Sequence, residues 1–107
     1  MSESSAPASG TAYAAAAKPQ LLFFYSPTSG RSRRAEGFVA QVLQRRHNHQ
    51  SFVLRRIDAD RNPALVARFH VEQIPTLIVV DAKRVQARIE VPRGCVEITR
   101  ALARWLN

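Results

Sequence analysis

Residues 20 to 25 constrain this chain most, because five large apolar residues, Leu21-Leu22-Phe23-Phe24-Tyr25, run together without a break and then stop at Ser26-Pro27. A run so short and aromatic fits a central strand covered on both faces. Pro27 has no N–H for a ladder, so the strand ends there. Beyond it the period changes: between about residues 30 and 48, Ala35, Phe38, Val39, Val42 and Leu43 recur at three- and four-residue steps among polar and charged neighbours. That spacing predicts an amphipathic helix with one buried stripe. Ser29 or Thr28 suits its N-cap, and Arg45, Arg46 and His47 suit its C-terminal end. Gly37 in its interior costs about 1 kcal/mol relative to alanine, so it is expected to mark close packing against a neighbouring strand.

Residues 51–57 read as a second strand. Asp58-Ala59-Asp60-Arg61-Asn62-Pro63 then turns into a short helix over 63–69, with proline at an early helical position that tolerates it. Ile74-Pro75-Thr76 leads to a third strand over 77–80. Asp81-Ala82-Lys83-Arg84 is a turn without glycine. Residues 85–91 form a fourth strand in which Val85, Ala87, Ile89 and Val91 share one face. Pro92-Arg93-Gly94 interrupts the chain before a last helix carrying Val96, Ile98, Leu102, Trp105 and Leu106. The first strand, helix and second strand make a right-handed crossover and a parallel pair, and the last two strands make an antiparallel hairpin. The expected fold class is α/β: a four-stranded mixed sheet, β-α-β-α-β-β-α, flanked by helices.

One domain fits 107 residues. Residues 1–19, rich in Ser, Ala, Gly and Pro, carry too little apolar surface to offset ordering and are expected to be a disordered tail before a domain over 20–107. Sixteen basic residues, fourteen of them Arg, against eight acidic ones give a net charge of +8. Such a surface favours anionic partners and says nothing about fold. The single cysteine, Cys95, excludes an intramolecular disulfide and a cysteine-pair metal site. No apolar run approaches the roughly 18 residues of a membrane span, and the N-terminus lacks a secretory signal pattern. The expected location is cytoplasmic.

The element order and three local motifs resemble the thioredoxin family. Phe23-Phe24-Tyr25 followed by Ser29-Gly30-Arg31-Ser32 looks like the family's strand and its Cys-Gly-Pro-Cys turn. Residues 57–63 look like its Ile-Asp-x-x-x-Asn-Pro segment, and Ile74-Pro75-Thr76 like its cis-proline loop. The family's first strand and helix have no counterpart in the sequence pattern, so residues 51–57 would be a sheet edge, with Arg55 and Arg56 opposing edge-to-edge pairing. The departures carry the chemistry. Dithiol exchange needs a thiolate at a helix N-terminus and a second thiol to resolve the mixed disulfide. Ser29 and Ser32 stand at those two places and supply neither. The family's buried carboxylate, six residues before the first cysteine, is replaced by Phe23.

The resemblance therefore implies a thioredoxin-like domain with a degenerate site, inactive by the dithiol route and retained to bind a polypeptide or other partner. The alternative is a thiol-disulfide oxidoreductase of cell redox homeostasis whose site cysteines were replaced by serine, or one that works through Cys95. Non-specific, salt-sensitive nucleic-acid association is a third reading. No catalytic residue, cofactor or metal is expected. Expected binding residues are Thr28, Gly30, Arg31, Arg33, Arg34, Ile74, Pro75 and Thr76. The arginines would add fixed charge to the orphan N–H groups of a helix start, which suits an anion, and the competing reading is a solvated basic face. Ser29 or Ser32 as a nucleophile would need a base, and the pattern does not bring His47, His49 or His70 near them. His47 and His49 lack a third ligand for a metal. Cys95, at the start of the last helix, is either a peripheral reactive thiol near the redox end or a small residue packed on the sheet. No membrane partner is expected, and the sequence does not fix an oligomeric state.

Overall fold

The computed structural model describes residues 18–106, with the side chains of Arg46, His47 and His49 outside the described set. Most of the expected tail therefore lies outside the described residues. The elements are β1 (Gln20–Tyr25), α1 (Gly30–Gln44), a 3-10 segment (Arg45–Gln50), β2 (Val53–Asp58), α2 (Pro63–Arg68), β3 (Thr76–Asp81), β4 (Arg84–Glu90) and α3 (Cys95–Ala101). The expected element order is present. The sheet order is β2-β1-β3-β4, with β1 and β2 parallel and the two remaining pairs antiparallel. Pro19 precedes β1, and its carbonyl accepts from the Val53 N–H at 2.9 Å.

Strand β1 is central, and this explains its unbroken apolar run: Leu21 to Phe24 are all buried. Leu21 and Phe23 point into one core with the α1 stripe and with Ile98 and Leu102 of the α3 region. Leu22 and Phe24 point into a second, smaller core with Ile57, Val71 and Ile78, against which Leu65, Val66 and Phe69 of the α2 region pack. Among the described residues, one face of the sheet thus carries α1 and α3, and the other carries the six-residue α2.

Several expectations need correction. Helix α1 ends at Gln44, where Arg45 turns extended, so its last turn contains no basic residue. Beyond Leu43 the chain offers a run of polar side chains with no apolar stripe to continue the helix. Gly37 does not mark close packing: it is exposed, and a Cβ placed on it would meet nothing within 4 Å. Val96 is 67% exposed rather than part of the core. The alternation expected along β4 breaks at a bulge, since Val79 pairs with Ala87 but Val80 pairs with Val85, leaving Gln86 as the extra residue. A bulge re-aims the side chains on one side of it. Ala87 and Ile89 stay on the α1–α3 face, while Val85 joins Val80 on the other face and is left 48% exposed. The β3–β4 turn works without glycine because Ala82 and Lys83 both adopt positive φ, 54° and 66°, the hairpin-compatible conformation.

Candidate functional site

The site is the corner where β1 hands over to α1. Four hydroxyls and a carboxylate fix it. The Ser29 N–H donates to the Ser26 carbonyl at 3.1 Å, closing the turn through Pro27 and Thr28. The Ser29 hydroxyl is the N-cap of α1 and accepts from the Ser32 N–H at 3.1 Å. Ser32 is buried, and its Oγ accepts from the Ser26 N–H at 3.0 Å. The Ser26 hydroxyl lies 3.2 Å from the Thr28 hydroxyl and donates to Asp60 Oδ2 at 3.1 Å. Both serines at the expected positions are thus structural partners of the turn, one at each side of it.

The segment after β2 supports the same corner. The Ala59 N–H donates to the Tyr25 carbonyl at 2.8 Å, extending the strand pairing past the end of β1. Asn62 Nδ2 donates to the Asp58 carbonyl at 2.8 Å, and Asp58 Oδ1 accepts from the Asp60 N–H at 2.9 Å. These bonds place Asp60 under Ser26. The sequence motif at 57–63 is therefore a clamp on the turn.

Phe23 is 1% exposed and stacks on Tyr25 with ring centroids 5.7 Å apart. An apolar ring thus stands where the family resemblance implies a buried carboxylate. The Arg56 guanidinium lies 5.1 Å from the Tyr25 ring centroid, over the ring, and pairs with Glu36 at 2.8 Å.

The three arginines of α1 do not form one patch. Arg33 lines a small hollow with Ser29, Ser32, Glu36 and Arg56. Arg31 and Arg34, one helical turn apart, instead face Val91, Pro92 and Arg93 after β4. None of Arg31, Arg34 and Arg93 is ion-paired among the described residues. The Arg93 N–H donates to Glu97 Oε1 at 2.8 Å, which ties this loop to the start of α3. Arg31 also shares a groove with Gln73, Glu90 and Glu97, so cations and acids both border the site.

The Ile74–Pro75 peptide bond is cis. Pro75 and Thr76 are buried, the Pro75 carbonyl accepts from the Val91 N–H at 2.8 Å, and the Thr76 hydroxyl donates to the Gln73 carbonyl. Of the three loop residues singled out in the sequence, only Ile74 reaches the surface. Thr28, Gly30, Arg31, Arg33 and Arg34 are all exposed around the turn. A Cβ added at Gly30 would meet nothing within 4 Å, so the surface above it is open.

Cys95 is half-buried against α1, with Sγ 3.0 Å from Gln41 Oε1 and 3.7 Å from the Phe38 carbonyl. Gln41 is nine residues beyond Ser32, roughly 13 Å along the helix axis. The thiol thus contacts α1, well up the helix from the turn, and packs against the core that α1 shares with the sheet. Among the described residues no three His, Cys, Asp or Glu stand close enough to hold a metal, and no helix is long and apolar enough to cross a membrane.

Sequence reasoning missed Arg93, the Glu36–Arg56 pair over Tyr25, and Val91. Val91 sits at φ 47°, in the left-handed region that a β-branched residue rarely enters. No local pattern could have found these groups, because each acts across elements far apart in the chain.

The fold, the corner and the cis loop define the thioredoxin class. The thioredoxin family model matches residues 10–104, so the chain belongs to the thioredoxin family. No curated protein sequence matches it. Among solved structures it is similar to the germline-specific thioredoxin Deadhead of Drosophila melanogaster, with 25% identity, TM-score 0.72, and 85% of this chain and 84% of that one covered. It is similar in fold to thioredoxin-2 of the malaria parasite protein secretion machinery, at 17% identity, TM-score 0.73 and 81% and 82% coverage. A mutant thioredoxin from Halobacterium salinarum aligns at 18% identity, TM-score 0.71 and 84% and 76% coverage.

Proposed function

We propose that this chain is a thioredoxin-family binding module that holds an extended, acidic polypeptide at the α1 mouth and does not perform dithiol exchange. The observation that carries the reading is the bonding of the two serines. Ser29 caps α1 and Ser32 holds the Ser26 N–H, so the family's turn keeps its shape with hydroxyls in place of sulfur. A hydroxyl has no reversible two-electron exchange with a disulfide, and Cys95 has no second cysteine in the chain to resolve a mixed disulfide. Docking surface is still present: Ile74 offers backbone at the cis loop, the way over Gly30 is open, and Arg31, Arg34 and Arg93 stand beside it without an ion pair among the described residues. Guanidinium groups are well suited to carboxylates.

Two measurements test this reading. In dithiothreitol-driven insulin reduction the protein should not raise the rate above dithiothreitol alone. Turnover that vanishes in Cys95→Ser would overturn the proposal in favour of an oxidoreductase. In fluorescence anisotropy, a labelled acidic peptide should bind the protein and bind the Arg31→Ala, Arg34→Ala variant about tenfold more weakly, the loss of two charge-assisted contacts.

A further inference from the structure

A cleft of about 890 Å³ opens on the α2 face, between Lys18, the end of α2 and the β3–β4 hairpin. It borders Gln20, at the start of β1, and so lies about 16 Å along the strand from the serine turn. Lys18, Arg68, His70, Lys83 and Arg88 line it, against one carboxylate, Asp81, among the described lining residues. That carboxylate is already engaged by the Trp105 indole N–H at 3.2 Å. The local charge is therefore strongly positive.

The cleft is also shaped. Phe69, Val80 and Val85 give it apolar walls, and Val85 is on this face only because of the bulge at Gln86. Arg88 is fixed across it, donating to the Phe69 carbonyl at 2.6 Å and the His70 carbonyl at 3.4 Å. Arg68 places its guanidinium 5.9 Å over the Phe69 ring. Four non-glycine residues adopt positive φ among the described residues, and three of them, His70, Ala82 and Lys83, line this cleft. A second hollow, bearing Arg55, joins the first at Gln20, Arg68 and Phe69; Arg56 borders it as well, but its guanidinium turns to the α1 face and pairs with Glu36. The cations thus form a track across four strands, three spacings of about 4.8 Å each. A compact anion would occupy one end of it, whereas a chain of phosphates would follow it.

We propose that this groove is a binding track for single-stranded nucleic acid, with phosphates against Lys18, Arg68 and Lys83 and a base against the face of Phe69. Cations that follow the backbone beside an aromatic ring are the elements of sequence-tolerant single-strand binding. The track is on the opposite face of the sheet from α1, so it stands independently of the polypeptide site proposed above.

The test is anisotropy titration of a labelled 15-nucleotide oligothymidine at several salt concentrations, with the full chain. Arg68→Glu, Lys83→Glu should weaken binding by about tenfold or more and flatten the log–log salt slope by about 1.4, while Arg31→Glu, Arg34→Glu changes affinity by less than about threefold. Equal losses in the two pairs would mean diffuse charge and overturn the proposal, as would a loss confined to the Arg31/Arg34 pair. Displacement of the oligonucleotide by polyglutamate of equal length and charge concentration would overturn it in favour of an acidic polypeptide. If melting curves show that the glutamate pair is unfolded, Arg68→Gln, Lys83→Gln replaces it. Unchanged affinity and salt slope in that folded variant would equally overturn the assignment.

Discussion

The two faces of the sheet are built to different standards. Among the described residues the α1–α3 face buries twelve residues in one cluster, whereas the α2 face buries five and relies on half-buried side chains such as Leu65 and Val66 of the six-residue α2. The difference teaches where this fold keeps its stability and where it can spare surface. The densely covered face sets the serine turn, because α1 can hold its N-terminus still only if its stripe is locked against β1. The thinly covered face leaves room for a cleft.

Core truncation should break the symmetry most. Leu102→Ala, fully buried beside α1, is expected to cost about 3 kcal/mol, and Leu65→Ala, half-buried on α2, about 1 kcal/mol. Urea denaturation measures both, and equal losses would show that the faces are equally consolidated. Next in size, Ser32→Ala leaves the part-buried Ser26 N–H without its partner and should cost about 1 kcal/mol. Ser29→Ala, which removes the cap, should cost about 1 kcal/mol, and Ser29→Asp should recover most of it in thermal melts. Val91→Gly should raise stability by about 1 kcal/mol, as relief of the left-handed strain outweighs loss of a half-buried side chain. Smallest of all, Gly37→Ala should stabilise by less than about 1 kcal/mol, since its Cβ meets only solvent.

The parts of the fold written in local patterns were readable from sequence. β1 is an uninterrupted apolar run because it is central, and the α1 stripe repeats at helical spacing because one side is buried. The Ser29 cap is legible for the same reason, being a short-range contact with Ser32. What sequence reading missed is non-local or depends on register. The bulge at Gln86 moves Val85 to the other face without leaving any mark in the alternation of β4. The turn at Ala82 and Lys83 stands where the sequence places it, and what left no mark is its positive φ, since neither residue is the glycine or asparagine that usually adopts it. Gly37 was misread because a glycine within a helix signals close packing only if a neighbour approaches, and none does. At the site, Arg31, Arg33 and Arg34 are adjacent in sequence but diverge around the helix, so a charge run became two separate groups.

The Ser32-to-Ser26 bond has a consequence for anything that meets this corner. A turn closed by cysteines has two covalent states and presents a different surface in each, according to the oxidants around it. A turn closed by a hydroxyl accepting one backbone proton has a single state. Its contour is the same in reducing and oxidising surroundings, so a partner fitted to it would associate or dissociate for reasons of concentration, salt and competition, with electron supply having no say.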